Sequence, residues 1–119
     1  MKRSQAYTDA MAELRAVVML QCGNKCWRCG KGYGLELHHN AKRGAAALFN
    51  ERTCIMLCHA CHDWVEHHAT LWNAEVREKD PQFVDYCFLV RRTTLTKKPN
   101  PEVEYRRLRE LRKKMESEA

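Results

Sequence analysis

Residues 26–39 read Cys26-Trp27-Arg28-Cys29-Gly30-Lys31-Gly32-Tyr33-Gly34-Leu35-Glu36-Leu37-His38-His39, and residues 57–62 read Leu57-Cys58-His59-Ala60-Cys61-His62. Two Cys-x-x-Cys pairs, Cys26/Cys29 and Cys58/Cys61, are separated by 28 residues and enclose a His-His dipeptide. That spacing suits a pair of knuckles closing one four-thiolate zinc site. Redox cycling is the rival use of Cys-x-x-Cys, but neither pair sits in a thioredoxin-like strand-helix context. The four thiolates would make a closed, structural site. The histidines outside it, His38, His39 and His62, are free to build an open and reactive one.

Working outward, Leu35 to His39 alternates and suits a short strand ending at the histidine pair. Adjacent residues on a strand face opposite sides, so His38 and His39 take different roles. Asn40 to Arg52 is an irregular loop carrying Lys42, Arg43 and three consecutive alanines, and Cys54 to Leu57 is an apolar strand. A helix starting near His59 is expected to run through Trp72. On it His62 and Glu66 share one face, four residues apart. His38, His62 and Glu66 thereby form a candidate ligand set for a divalent cation with positions left open for a phosphate oxygen.

Further out, Ser4 to Gln21 reads as an amphipathic helix, with Tyr7, Met11, Leu14 and Val18 at helical spacing, closed by Gly23-Asn24. Asp80-Pro81 starts a helix with Phe83, Val84, Cys87, Phe88 and Val90 as a buried face, although a strand also fits there. Asn100-Pro101 caps a C-terminal helix with a narrow stripe of Tyr105, Leu108, Leu111 and Met115 among six basic residues. That helix has three readings: a DNA clamp, a dimerisation stripe, or an arm packed on the domain. Cys54, Cys87 and the three tryptophans are expected in the core. His59 is a candidate hydrogen-bond partner of a thiolate.

The chain of 119 residues is long enough for one domain, with residues 1–96 as that domain, its core at 22–68, and 97–119 as a basic helical extension. The formal net charge is +6, which favours a polyanionic partner, nucleic acid foremost. Seven cysteines, four of them in tight pairs, fit a reducing cytoplasm better than a disulfide framework. No stretch approaches the roughly 18 apolar residues of a membrane span. Acidic and basic residues interrupt the N-terminal apolar run too early for a signal peptide.

The combined motif resembles an HNH endonuclease of the variant with an embedded four-cysteine zinc. The resemblance spans roughly residues 22–68. It implies an α+β fold: a small ββα-metal finger with a structural zinc knuckle pair, flanked by N- and C-terminal helices. His38 and His62 then become ligands of a catalytic divalent ion (magnesium, manganese, nickel or zinc). Glu66 takes the third-ligand position of some members, and His39 is the general base. The expected activity is hydrolysis of DNA, most naturally duplex, by a one-metal, histidine-base mechanism leaving 5′-phosphate and 3′-hydroxyl ends. Lys42 and Arg43 would hold neighbouring phosphates.

Thr53 occupies the position where the family places a loop-bracing asparagine, with Asn50 three residues earlier as a substitute. This departure keeps an alternative open: a catalytically inactive, zinc-stabilised DNA-binding or regulatory protein. A zinc-knuckle adaptor that binds protein is a third, weaker reading. No recognisable sequence-reading domain is attached, so the expectation is weak intrinsic specificity or a protein partner that supplies it, with a homodimer as the other partner reading. Free-standing nucleases of this size are associated with phages and mobile elements, which implies the cytoplasm of a bacterial or phage-infected cell.

Overall fold

Ser4 accepts a hydrogen bond from the Tyr7 amide at 3.1 Å and starts the first helix, α1 (Gln5–Gln21), in the computed structural model, which describes residues 4–95 and 97–119. Ala10, Leu14, Val17 and Val18 form its buried face. The helix gives way at Gly23 and Asn24, both at positive φ. Glycine reaches that region at no steric cost, and asparagine tolerates it better than most residues.

Two antiparallel strands follow, β1 (Leu35–His39) and β2 (Cys54–Cys58), in a register that sets Leu35 opposite Cys58 and His39 opposite Cys54. All five residues of β2 are buried, so it reads as a continuous apolar run rather than an alternating one. Cys58 caps the next helix, α2 (His59–His67), its sulfur accepting from the Cys61 amide at 3.4 Å. β1, β2 and α2 thus make a ββα unit, and the described residues form an α+β fold of five helices and one two-stranded sheet.

The helix expected from His59 through Trp72 is broken. His68 leaves helical geometry (φ −137°, ψ 52°), and a separate helix, α3 (Ala69–Lys79), begins after it. The His68 ring nitrogen Nδ1 donates to the Trp64 carbonyl at 2.8 Å, occupying an acceptor that the interrupted helix would otherwise leave free. The bend lets Trp72 turn inward, where its ring is buried and its indole N–H donates to Asn40 Oδ1 at 3.0 Å.

Asp80 caps the fourth helix, α4 (Pro81–Arg92), by accepting from the Phe83 amide, with Pro81 in the first turn. This segment is helical, and of its expected buried face Phe88 is instead exposed. Cys87 and Val90 pack against Ala41 and Ala47, tying α4 to the loop between the strands.

Asn100 and Pro101 start the last helix, α5 (Pro101–Ser117). Its apolar stripe lies on the domain: Leu108 is fully buried in the main core with residues of α1, and Tyr105, Leu111 and Met115 pack against that core. Arg112 grips Glu13 of α1 with two bonds of 2.6 and 3.2 Å, and Arg107 reaches the nearly buried Glu51 at 2.9 Å. Among the described residues no helix is long and apolar enough to cross a membrane.

Candidate active site and metal centre

The four paired cysteines converge. Cys26 and Cys29 come from the knuckle after α1, Cys58 from the end of β2, and Cys61 from the first turn of α2. Their sulfurs all lie within 4.8 Å of one another, and Cys29 Sγ is 3.7 Å from Cys58 Sγ. Sulfurs at about 2.3 Å from a tetrahedral ion would sit roughly 3.8 Å apart, so the cluster fits a metal ion such as zinc. It does not fit a disulfide, which needs about 2 Å.

The electrostatics point the same way. Burial would raise the Cys26 thiol, but backbone N–H groups of Cys58, Cys29 and Arg28 outweigh it and bring the group down to about 6. Burial and the neighbouring thiols push Cys61 up to about 12, against the pull of Arg28. Four sulfurs this close ionise together only with a cation between them. Arg28 braces the cluster from outside. It forms two bonds to Glu75 (2.7 and 3.1 Å), places Nη1 3.8 Å from Cys61 Sγ, and stacks 3.9 Å over the Trp64 ring. His59 does not hydrogen-bond a thiolate. Its Nδ1 goes to Glu36 Oε2 at 3.0 Å.

A second cluster lies on the same ββα unit. His38, from the end of β1, faces His62 on α2 with ring centroids 5.3 Å apart. Together with Glu66 they present donor atoms within 4.8 Å of one another. These three residues, His39, Leu37 and Arg43 line one cleft of about 330 Å³.

The hydrogen bonds fix which ring nitrogens are free. Trp72 can only donate, so the Asn40 atom it meets is the amide oxygen. That oxygen also faces His38 Nε2 at 3.1 Å, so Nε2 carries the proton and Nδ1 is left as donor atom. His62 Nδ1 lies 2.8 Å from Glu36 Oε1, which leaves Nε2 free, 3.4 Å from Glu66 Oε1. Both His62 nitrogens therefore face carboxylates, an arrangement that a cation seated between Nε2 and Glu66 would satisfy. Nδ1 of His38, Nε2 of His62 and the Glu66 carboxylate would hold a divalent ion. The Glu36–His62 contact has the form of an outer carboxylate that would orient the imidazole as a ligand.

His39 is separately anchored. Its Nε2 lies 3.0 Å from the Leu48 carbonyl oxygen. A carbonyl only accepts, so the proton sits on Nε2 and the lone pair on Nδ1. Burial lowers the His39 pKa, with a smaller push from Arg43, despite the Leu48 bond acting the other way. Burial also lowers His38, to about 4. Both rings are held neutral near pH 7. That is the form a base or a ligand requires.

Thr53 and Asn50 brace the intervening loop. Thr53 is fully buried and its hydroxyl donates to the Asn50 carbonyl at 3.0 Å. Its own carbonyl accepts from the Asn40 amide at 2.9 Å, next to the histidine pair. The Asn50 side chain accepts from the Arg52 amide and donates to the Tyr86 hydroxyl at 3.0 Å. Lys42, at positive φ, and Arg43 are exposed on the same loop.

Three contributors were absent from the sequence reading. Glu36 could have been found, since it lies two residues before His38 and so shares its strand face. Asn40 directly follows the pair but carries no signal without Trp72. The Leu48 carbonyl is backbone, which no residue type announces. No protein-family model, curated protein or solved structure matches the chain.

Proposed function

We propose that this chain is a metal-dependent DNA endonuclease of the HNH type, hydrolysing phosphodiesters with His39 as general base and a four-cysteine zinc as its structural staple. The observation that carries the reading is the pairing of two features in one cleft. One is an imidazole anchored through Nε2 on the Leu48 carbonyl; the other is a three-donor cluster, His38, His62 and Glu66, with free lone pairs.

In the proposed reaction the Nδ1 lone pair of His39 takes a proton from water as the water oxygen bonds to phosphorus. The bond from phosphorus to the 3′ oxygen breaks, and that oxygen is protonated from solvent. A positioned base of this kind contributes about 10²–10⁴-fold. A divalent ion held by His38, His62 and Glu66 supplies, when bound, charge stabilisation for the phosphate and the leaving oxygen. Glu36 and Asn40 orient the two imidazoles. Arg43, on the cleft wall, and Lys42 beside it hold neighbouring phosphates, giving affinity without sequence choice.

The buried Thr53 hydroxyl supports an active enzyme over an inert scaffold, because it braces the loop whose Leu48 carbonyl fixes the base. In this reading the protein works in a reducing cytoplasm, bacterial or phage-infected, with target choice supplied by a second copy or a protein partner. The test is cleavage of supercoiled plasmid by protein resupplied with magnesium, manganese, nickel or zinc, with His39→Ala alongside. Metal-dependent nicking that disappears in the variant is the expected result. Folded, DNA-binding protein that cuts with no metal would overturn the enzymatic reading in favour of the inactive scaffold.

A further inference from the structure

Two acid-free stretches of the chain meet in the fold: 37–50, carrying Lys42 and Arg43, and 86–101, carrying Arg91, Arg92, Lys97 and Lys98. A third, 14–35, carries Arg15, Lys25, Arg28 and Lys31, of which Arg28 pairs with Glu75 and Arg15 donates to the Leu35 carbonyl. The first two together hold six of the 21 Lys and Arg. They are distant in sequence and joined in the fold, because Ala41 and Ala47 pack on Cys87 and Val90.

The junction continues the cleft. Arg43 lines both the histidine cleft and the adjoining hollow, whose opposite wall includes Arg91 and Thr93. Leu95 and Pro99, flanking Lys97 and Lys98, line a further hollow with Ala45 and Ala46, so the linker runs over the same loop. Among the described residues, Lys42, Arg43, Arg91, Lys97 and Lys98 enter no ion pair. α5 has as many cations, but Arg106, Arg107, Arg112 and Lys113 are each matched to a glutamate. On α5 only Arg109 and Lys114 are left without an ion pair among the described residues, whereas Lys42, Arg43 and Arg91 beside the cleft are all unmatched.

We infer that the 41–47 loop, the C-terminal end of α4 and the 97–98 linker form a track for the phosphate backbone of duplex DNA, leading away from the histidine cleft. The duplex is favoured over a single strand because the hollow between Arg43 and Arg91 has no aromatic lining; in the further hollow Phe49 is buried and Arg52 covers the Tyr86 ring at 3.9 Å, which leaves Phe88 as the exposed ring beside Arg91. Single strands are gripped largely by stacking bases on aromatic rings, whereas a duplex offers phosphates to bare cations. The inference rests on the proposed function and extends it to residues 91–98, beyond the 22–68 motif; the binding surface it names is independent of whether the cleft is hydrolytic.

The test compares two charge-matched double variants in the full-length, zinc-loaded chain carrying His39→Ala, which keeps the probe intact. One is Arg91→Ala with Lys98→Ala on the track; the other is Arg109→Ala with Lys114→Ala on α5. Fluorescence anisotropy with a labelled duplex is read across a salt series. The track variant is expected to reduce the slope of log affinity against log salt by about 2, since each phosphate contact contributes roughly 0.9, while the α5 variant leaves the slope unchanged. Equal losses in both variants, or none in the track variant, would overturn the inference. So would a single-stranded probe that binds as tightly as the duplex with the same loss. Hydrolysis of bis(p-nitrophenyl) phosphate, too small to reach Arg91, is measured on the track pair with His39 intact and should match wild type. If no form of the protein hydrolyses it, the nuclease reading fails while the salt slopes still decide the track.

Discussion

The chain builds two clusters of side chains able to hold a metal on one ββα unit, and they differ in nearly every physical respect. The sulfur cluster draws four identical ligands from two tight pairs. Three of the four cysteines are buried, and every donor is used within the cluster. The histidine cluster has three donors of two kinds, opens into a cleft of about 330 Å³, and has an anchored imidazole beside it. Each of its rings is steered by a group further out: Glu36 for His62, Asn40 for His38, the Leu48 carbonyl for His39. A closed set of four suits holding the chain together; an open, oriented set suits chemistry. Unfilled coordination and fixed tautomers, more than the presence of metal ligands, are what set the second cluster apart as suited to chemistry.

The strongest way to break this division is to damage the closed cluster. Cys58→Ser removes one thiolate while its hydroxyl can still cap α2, so the loss is that of the metal ligand. Because a structural zinc is worth about 10–16 kcal/mol in small domains, the variant is expected to lose its helical circular dichroism signal and its zinc. A folded Cys58→Ser would show that the sulfur cluster is not the staple.

His39→Ala should do the opposite. Its melting temperature should stay close to wild type, while plasmid nicking falls by about 10²–10⁴-fold. Retained nicking would move the base elsewhere. Glu36→Gln keeps a hydrogen-bonding group beside His62 but removes the carboxylate charge. It is expected to weaken divalent-ion affinity at the histidine cluster by about 10–100-fold, read by titration calorimetry, with zinc content unchanged. Loss of zinc in that variant would mean that the two clusters are not separable.

The smallest effect is expected from Thr53→Val, which deletes the buried hydroxyl donating to the Asn50 carbonyl. About 1 kcal/mol of stability should be lost in urea denaturation, with a larger proportional fall in nicking than in stability as the loop slackens. Equal nicking in both proteins would show that the hydroxyl does not brace the base.

What the sequence made legible follows the same division. The cysteine spacing predicted the sulfur cluster because one ligand type at fixed intervals leaves little geometric freedom. The strand from Leu35 to His39 has the bounds that alternation gave it, and Asp80-Pro81 and Asn100-Pro101 start helices because their capping chemistry is local. The break at His68 was not legible, since nothing in His67-His68-Ala69 disfavours a helix strongly. It depends on a ring donating to the Trp64 carbonyl and on Trp72 finding Asn40 across the fold. The stripe on α5 was visible, but its partner was not: amphipathicity shows that a face will be covered without naming the cover, here α1. Glu36 was within reach of strand alternation, whereas the anchor of His39 is a backbone atom nine residues away.

The most direct test of two clusters with divided roles follows bound metal and nicking together. Protein carrying one zinc per chain, counted by native mass spectrometry, is titrated with manganese while plasmid relaxation is recorded. No relaxation is expected at one zinc, then activity rising in step with a second bound ion, with the zinc count constant throughout. Relaxation by the one-zinc protein that ignores added manganese, or a second ion that binds without any cutting, would contradict that division of roles.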